Sequence, residues 1–335
     1  MVSPRAHLVG DGVQNPANAE ALAEAARMFA VPCSFRDSRG LAERLPELST
    51  VDTAALLGGP GPLIAVDNTP GAESVYRAWP ALDGASIVVG NERRGIRPDV
   101  LRAAAKTVQI PMPGRGVNTL NVATAAAVAL YYLLDAHGRR QARAPRPDSH
   151  RPALLLAAPR DHVEAGSSLR SAAAFGWQTV TVDDREKVWF GTPRPVRNEA
   201  RAAARSHRNP LRVVPAGDAW SPPPGSRVVI CAPDVDGPPL HRTELTGTGT
   251  VLVIPDGEGW EPRPGAEFAR VAVPGEPGRY RLLTGIVLAE AARQLSTRTA
   301  TAPRPPRRGL SYGSVLGQTA LPDTDLVQPW ELTQY

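Results

Sequence analysis

The chain has 335 residues, which is long enough for two domains of ordinary size. It carries 38 basic residues (Lys plus Arg) against 33 acidic ones, and the excess comes from arginine, a side chain suited to bidentate contacts with phosphate. The resulting net charge of +5 permits a nucleic-acid partner, although a compositional bias toward Arg, Ala, Pro and Gly accounts for it equally well.

The sequence argues against disulfide, metal and membrane functions. Its two cysteines, Cys33 and Cys231, lie far apart in apolar segments, so we expect buried free thiols. We find no metal-ligand spacing and expect no metal. The first residues, MVSPRAHLVGDG, lack the apolar core of a signal peptide, and the longest apolar helix, 122–134, is too short to span a bilayer. We therefore expect a cytoplasmic protein.

In the first half of the chain, short apolar runs alternate with Ala-rich helical patterns, which is typical of an α/β fold. Glycines, prolines and short polar loops separate these runs. The predicted strands are 5–9, 31–35, 63–66, 86–89 and 108–112, and the predicted helices are 19–29, 72–78 and 122–134.

From residue 153 the same pattern begins again, and we interpret the chain as an internal duplication of one α/β unit. The Pro- and Arg-rich stretch before it is a linker, and the last residues lack periodicity. The second set has strands 153–158, 179–182, 227–232, 250–254 and 270–273, and helices 167–175, 197–207 and 282–295. The predicted organisation is a unit at 1–138, a linker at 139–152, a unit at 153–298 and an extended tail at 299–335.

One stretch, 85–134, brings two strand ends and one helix start together through Gly and Pro residues. Such a stretch offers backbone N–H and C=O groups to a small ligand. Its order of strand, GNERRG, IPM and TLNVATAAA resembles the second and third motifs of the SpoU/TrmH family of SPOUT RNA methyltransferases. An ordinary doubly wound α/β domain with Gly-rich loops is the alternative.

This resemblance implies a SPOUT-type α/β fold in which the two loops and the helix start form a deep trefoil knot around S-adenosylmethionine (SAM). Glu92, Thr119 and Asn121 match polar residues around the reacting centre. Asp67 has an alternative role as a cap for helix 72–78, and Glu92 has one as an ion-pair partner of nearby arginines. The implied cofactor contacts are Val66, Asp67, Gly90, Asn91, Glu92, Ile110, Met112, Thr119 and Leu120.

The two halves resemble the family in complementary ways. In the first motif of the family, an Arg follows a loop Asn by six residues. The first half has Asn18 but Glu24 at the Arg position, whereas the second half has Arg170 but Glu164 at the Asn position. The SAM motifs of the second half are eroded: Pro255-Asp256-Gly257 replaces Gly90-Asn91-Glu92, and Leu282-Leu283-Thr284 replaces Thr119-Leu120-Asn121.

Family members are typically homodimers in which each site takes SAM from one protomer and the Arg from the other. The resemblance therefore implies a monomeric, single-chain pseudo-dimer with one composite site, in which Arg170 is catalytic. Because arginine stays protonated, we expect Arg170 to hold phosphate and stabilise charge on the oxygen, with Glu92 as the proton acceptor. In the alternative interpretation, the sequences of both halves are diverging from the family motifs and Arg170 is an ordinary surface residue.

The resemblance predicts a SAM-dependent methyltransferase that acts on a ribose 2′-hydroxyl in rRNA or tRNA. Two alternatives remain open: a methyltransferase retargeted to a small-molecule acceptor, and a non-catalytic RNA-binding protein. Arginines near the site are candidates for a phosphate-binding rim, or are merely scattered on the surface. These substrate-binding candidates are Arg93, Arg94, Arg115, Arg201 and Arg205.

Overall fold

The structure is a computed structural model that describes residues 6–36, 40–78, 83–91, 94–113, 120–135, 150–191, 211–217, 220–247, 249–256, 260–261 and 264–301. Residues 1–301 form one compact unit by their internal contacts. Residues 139–149 of the predicted linker, the predicted helix 197–207 and residues 302–335 of the predicted tail lie outside the described residues.

The first half folds as a parallel sheet in the order β2-β1-β5-β3-β6-β4. Its central strands are nearly continuous apolar runs because helices cover both faces of the sheet. The strands are β1 (Ala6–Asp11), β2 (Cys33–Arg36), β3 (Leu63–Val66), β4 (Glu73–Ser74), β5 (Ala85–Val89) and β6 (Lys106–Gln109). The helices are α1 (Pro16–Met28), α2 (Leu41–Arg44), α3 (Thr53–Leu57), α4 (Pro98–Ala103) and α5 (Val122–Asp135).

The second half folds as a separate parallel sheet in the order β12-β10-β11-β7-β8-β9. The strands are β7 (Ala153–Ala157), β8 (Thr179–Asp183), β9 (Arg212–Pro215), β10 (Arg227–Ala232), β11 (Thr250–Pro255) and β12 (Glu267–Arg270). The helices are α6 (His162–Ala174) and α7 (Tyr280–Thr301). Two parallel sheets with helices confirm the predicted α/β class.

The two sheets share the order of five strands, since β2-β1-β5-β3-β6 in one corresponds to β8-β7-β11-β10-β12 in the other. The register agrees as well. Gly10 pairs with Val89 in the first sheet, and Leu156 pairs with Ile254 in the second. The next residues, Asp11 and Ala157, hold the last pairs with β2 and β8, so Gly10 corresponds to Leu156. Gly90 and Pro255, which follow Val89 and Ile254, are therefore equivalent positions.

Two predicted elements are wrong. Residues 72–78 are not a helix: Glu73–Ser74 pair with β6 as β4, and the Val75 amide donates to the Gln109 carbonyl at 2.8 Å, so the segment extends the sheet edge. The strand predicted at 270–273 instead covers Glu267–Arg270, because Phe268 and Ala269 pair with β10. Strand β9 and the short helices α2, α3 and α4 were not predicted.

The two halves meet through their last helices, α5 and α7, whose buried faces pack against each other. Gly285 of α7 lies directly against Thr124 of α5. A Cβ added at Gly285 would lie 2.2 Å from the Thr124 Cγ2 atom, well inside van der Waals contact. The absence of a side chain at Gly285 therefore allows this close helix approach.

We expect Gly285→Ala to lower the free energy of unfolding by about 1–3 kcal/mol, because the added methyl overpacks the interface. Thr124→Ser removes the clashing methyl and should restore part of the loss in the double variant. Gly166→Ala is the matched control: its Cβ would meet Trp189 at an ordinary 3.5 Å, so the better helix propensity of alanine should dominate. Urea denaturation gives the free energy of unfolding of the unchanged chain, of the two single glycine variants and of the double variant. An unchanged free energy of unfolding in Gly285→Ala would refute the close packing of the two helices.

Candidate active site

The carboxyl ends of three neighbouring strands meet at one edge of the first sheet. Val66 of β3 pairs with Val89 of β5 on one side and with Val108 of β6 on the other. The residues that follow these three positions therefore lie side by side. In open parallel sheets this edge is where ligands bind. The structure thus brings the predicted cofactor residues Asp67 and Gly90 together, with Ile110 two residues beyond Val108 at the same edge.

The loop after β5 closes on itself through its own backbone. The amides of Asn91 and Gly95 each donate to the carbonyl of the other, at 3.0 and 2.9 Å. A Cβ at Gly90 would lie 2.2 Å from the carbonyl carbon of Gly95, so only glycine fits where the loop returns. The Asn91 side chain donates to the Gly12 carbonyl at 2.8 Å and accepts from the Arg94 amide at 3.2 Å. Gly90 and Asn91 therefore shape the loop.

Asp67 anchors the same loop from the end of β3. Its Oδ2 atom accepts a hydrogen bond from the Ile96 amide at 3.1 Å, and its own amide donates to the Val108 carbonyl at 2.9 Å. Because residues 72–78 are not helical, the alternative role of Asp67 as a helix cap is wrong. Asp67 fixes the distance between the ends of β3 and the loop after β5.

The start of helix α5 is held by its own cap and by α1. Asn121 Oδ1 accepts from the Ala123 amide at 2.9 Å, which is the geometry of an N-cap. The side-chain amide of Asn121 donates to the Asn18 Oδ1 atom at 3.0 Å. Leu120, directly before the cap, is buried, whereas Met112 on the neighbouring segment is half-buried. The two predicted motifs of the first half, around Asn18 and Asn121, are therefore in direct contact.

Arg170 of α6 reaches the same point from the second half. Its Nη2 atom lies 3.5 Å from the Leu120 carbonyl oxygen, at the outer limit of a hydrogen bond. Leu120 stands next to Asn121, so the guanidinium lies at the entrance of α5, beside the predicted cofactor positions. The structure brings together residues separated by 50 positions in the chain.

At the start of α7, the position that corresponds to the start of α5, ion pairs join the two halves. Glu24 of α1 forms an ion pair with Arg279, and Glu164 of α6 lies 3.4 Å from the Arg281 Nε atom. Arg279 Nη1 also lies 4.0 Å from Glu164 Oε1, which joins the two pairs. Burial raises the pKa of Glu164, against the effect of Arg281. The carboxylate of Glu24, which stands where the resemblance predicts an arginine, is thus paired with an arginine of the second half.

A buried ion pair that sequence reasoning missed lies at the ends of β1 and β2. Arg36 Nε donates to Asp11 Oδ1 at 2.8 Å, and both side chains are fully buried. Arg36 Nη1 reaches Asp99 of α4 at 3.1 Å, and the Arg97 amide donates to Asp11 Oδ2 at 2.9 Å. A charged residue at the end of each apolar strand was the available signal. This pair fixes the strand ends beside Gly12, which Asn91 contacts.

Several predicted site residues cannot be placed. The polar and basic candidates Glu92, Arg93, Arg115, Thr119, Arg201 and Arg205 lie outside the described residues. Arg94 is described and exposed. The predicted trefoil knot involves loops that include 92–93 and 114–119, which also lie outside the described residues, and the knot stays a prediction.

The described residues argue against thiol chemistry. Both cysteines are free, as predicted, but the predicted burial holds only for Cys231, because Cys33 is half-buried. Burial raises the pKa of each thiol to about 12, so neither forms a thiolate at neutral pH. Within the described ranges, no group of His, Cys, Asp and Glu is arranged to hold a metal ion. Among the helices that the structure describes, none combines the length and apolarity needed to cross a membrane.

Comparison with known proteins gives a family match over the first half. Residues 38–131 match the SpoU rRNA Methylase family, which confirms the predicted resemblance over those residues. The matched segment includes the strand ends and the start of α5 described above. No curated protein matches the chain at a significant level.

Solved structures with similarity to part of the chain include three methylation or RNA-modification proteins. One, from a study of the 2-OH methylation of C/U34 on tRNA, has 26% identity and a TM-score of 0.32, with 40% of this chain and 91% of that chain covered. The SpoU methyltransferase AviRb from Streptomyces viridochromogenes, in complex with AdoMet, has 19% identity, coverage of 39% and 57%, and a TM-score of 0.31. The TrmH/SpoU tRNA modifying enzyme of A. aeolicus has 21% identity, coverage of 38% and 73%, and a TM-score of 0.32.

Proposed function

We propose that this chain, in which residues 38–131 match the SpoU rRNA methylase family, is a SAM-dependent RNA methyltransferase that modifies a ribose 2′-hydroxyl. The halves act as two units of a single-chain pseudo-dimer with one composite site. The observation that carries this proposal is the approach of Arg170 to the Leu120 carbonyl, because it joins the family's arginine motif in one half to its SAM motif in the other.

The residues at the edge of the first sheet fit a nucleoside sulfonium cofactor. Half-buried Val66 and Met112 pack against the apolar cluster that includes buried Ile110 and Leu120, which gives apolar surface for an adenosine group. The tight loop at Gly90 brings main chain close to the same edge. These residues would hold SAM, which supplies an electrophilic methyl group when bound. No metal ligand is needed for this chemistry.

The remaining work of the site is positioning and charge stabilisation. An in-line displacement requires the acceptor oxygen to be held in line with the methyl group, and positioning can supply about 7–11 kcal/mol of a barrier. An arginine side chain is a cation with several N–H donors, so we assign Arg170 to the phosphate beside the acceptor ribose and to the charge that develops on the oxygen. Glu92 and Thr119 complete the polar set by family resemblance.

Calorimetric titration of the purified chain with SAM tests the proposal. We expect one SAM per chain, because Pro255 stands where Gly90 is found and lacks a backbone N–H. Asn121→Ala should weaken SAM binding at least about tenfold, since it removes the cap of α5 and the contact with Asn18. Asn121→Ser keeps a capping oxygen and separates these two effects.

Each other outcome of the titration has a defined meaning. Two SAM per chain would refute the single composite site, and no SAM binding would refute a methyltransferase. If SAM binds, radiolabelled methyl transfer to total RNA is the next assay. Product resistant to alkaline hydrolysis identifies 2′-O-methylation, because the blocked hydroxyl cannot cleave the chain. Transfer to small nucleosides but not to RNA would overturn the RNA assignment.

A further inference from the structure

A cavity of about 480 Å³ opens at the carboxyl edge of the second sheet. It lies beyond the ends of β10 and β11 and against the start of α7, which is the edge where parallel sheets bind ligands. Its volume falls within the range of small-molecule sites, about 300–1,000 Å³. The chemically informative lining residues are Arg160, Asp234, Asp256, Trp260, Phe268 and Tyr280.

This cavity occupies the place in the second half that the proposed SAM site occupies in the first, but its lining differs. Pro255, one of its walls, is equivalent to Gly90 by strand register. Proline offers no backbone N–H and cannot follow the tight return that glycine permits. The second half therefore has a cavity at the equivalent position but with a different lining, and we expect it to bind a different ligand.

The aromatic residues supply flat apolar surface. Trp260 and Phe268 both line the cavity and pack against the apolar cluster beneath the second sheet. Tyr280 is buried, and its hydroxyl donates to the Ile254 carbonyl at 2.9 Å, so it presents its ring as a fixed wall. Stacking on such side chains is the general way in which proteins bind nucleobases, because every base has a π-face.

The carboxylates supply hydrogen-bond acceptors and exclude anions. Asp256 Oδ2 accepts from the Arg160 amide at 2.9 Å, and burial raises the pKa of Asp256. Asp234 is exposed at the rim. Carboxylates accept from the exocyclic amines of bases but repel phosphate. The side chain of Arg160 is exposed and suits a phosphate outside the cavity.

The wall formed by residues 277–280 is held in place from the first half. Arg279 is paired with Glu24 of α1, and a Cβ at Gly278 would lie 2.6 Å from the Met28 Sδ atom. The Gly275 amide donates to the Met28 carbonyl at 3.0 Å. A wall fixed in this way loses little conformational freedom when a ligand binds.

We propose that this cavity is a nucleobase-binding pocket, with Trp260 and Phe268 as the stacking surface and Asp256 as the acceptor of base N–H groups. The pocket extends the proposed function by giving the protein a second contact with its RNA acceptor. Its binding chemistry does not depend on methyl transfer, so the two proposals can fail separately.

The test is calorimetric titration of the SAM-saturated full chain with adenosine, guanosine, cytidine and uridine. We expect at least one nucleoside to bind, and Trp260→Ala to weaken it at least about tenfold, as expected for a lost stacking contact. Trp220→Ala is the matched control, because Trp220 packs against the same apolar cluster without lining the cavity. Thermal unfolding of both variants checks that the fold is intact.

Asp256→Asn provides a second variant that does not alter the apolar surface. Because it replaces a pure acceptor with a group that also donates, it should change which nucleoside binds best. One further arm identifies the source of the base. Weaker binding of a short RNA to Trp260→Ala alone would support an RNA base.

Two results would overturn the pocket. One is the absence of nucleoside binding at millimolar concentration by a chain that binds SAM. The other is nucleoside binding that Trp260→Ala and Asp256→Asn leave unchanged. A chain that binds nucleosides through Trp260 but does not bind SAM would leave the pocket standing and refute the proposed methyltransferase.

Discussion

Replacing Arg170 with alanine is expected to lower the rate of RNA methylation by about 100- to 1000-fold while leaving the affinity for SAM almost unchanged. The guanidinium lies beside the Leu120 carbonyl, next to the proposed cofactor residues, yet it belongs to α6 of the second half. Removing it therefore deletes charge stabilisation at the acceptor oxygen and leaves the first sheet intact. Single-turnover transfer from radiolabelled SAM to total RNA measures the effect.

Two further variants sharpen this prediction. Arg170→Lys keeps the charge but loses the planar fork, so it should recover only a small part of the rate if Arg170 holds phosphate through two N–H groups. Arg185→Ala is the control, since it removes an exposed arginine from the same half, paired with Asp183 at 3.0 Å. If Arg170→Ala retained full activity, or lost SAM affinity in proportion to its rate, Arg170 would not be a catalytic residue.

Replacing Arg293 with methionine is expected to lower the free energy of unfolding by about 3–5 kcal/mol. Its partner Glu290 is completely buried between α5 and α7. Arg293 donates to both Glu290 oxygens, at 2.9 and 2.6 Å, and Tyr132 of α5 donates to Oε2 at 2.7 Å. Without Arg293, Glu290 would remain in the core as a buried carboxylate with no positive partner, which lowers the stability of the folded state.

The double variant Glu290→Gln with Arg293→Met tests the same explanation. It removes both charges, so we expect it to be more stable than Arg293→Met alone, whereas two independent losses would add. Tyr132→Phe should cost about 1–2 kcal/mol, because it leaves one lone pair of Glu290 without its donor. Urea denaturation provides the free energies. A cost below 1 kcal/mol for Arg293→Met would show that water reaches Glu290.

Local sequence patterns predicted the strands well because parallel strands covered on both faces are continuous apolar runs. Arg227–Ala232 and Leu63–Val66 have the predicted bounds. The helix prediction for residues 72–78 failed because Glu73 and Ser74 pair with β6. This strand is more than thirty residues away in the chain, so no local pattern specifies the pairing. β9 was missed for a similar reason: its register depends on β8.

The arrangement of the candidate site residues could be predicted where a motif combines glycine with a polar residue, and less so where it depends on contacts between distant parts of the chain. Gly90, Asn91 and Asn121 were identified from the motif; the structure gives the two asparagines defined hydrogen-bond partners and places Gly90 against the backbone of Gly95. Asp67 was identified with two alternative roles, and its bond to the Ile96 amide is neither of them. The pairing of Glu24 with Arg279 joins residues of opposite halves and has no local signal.

The Tyr132–Glu290 hydrogen bond has a consequence for how the two halves recognise each other. By the correspondence of the motifs around Leu120 and Leu283, Tyr132 is equivalent to Leu295, and Glu290 is equivalent to Ala127. Two copies of the same half would therefore lack one member of this bond. The contact between α5 and α7 therefore favours pairing of the two different halves over pairing of two copies of the same half. Because both helices belong to one chain, the fraction of molecules that form this contact does not depend on protein concentration. The interface of a homodimer, in contrast, dissociates at low protein concentration.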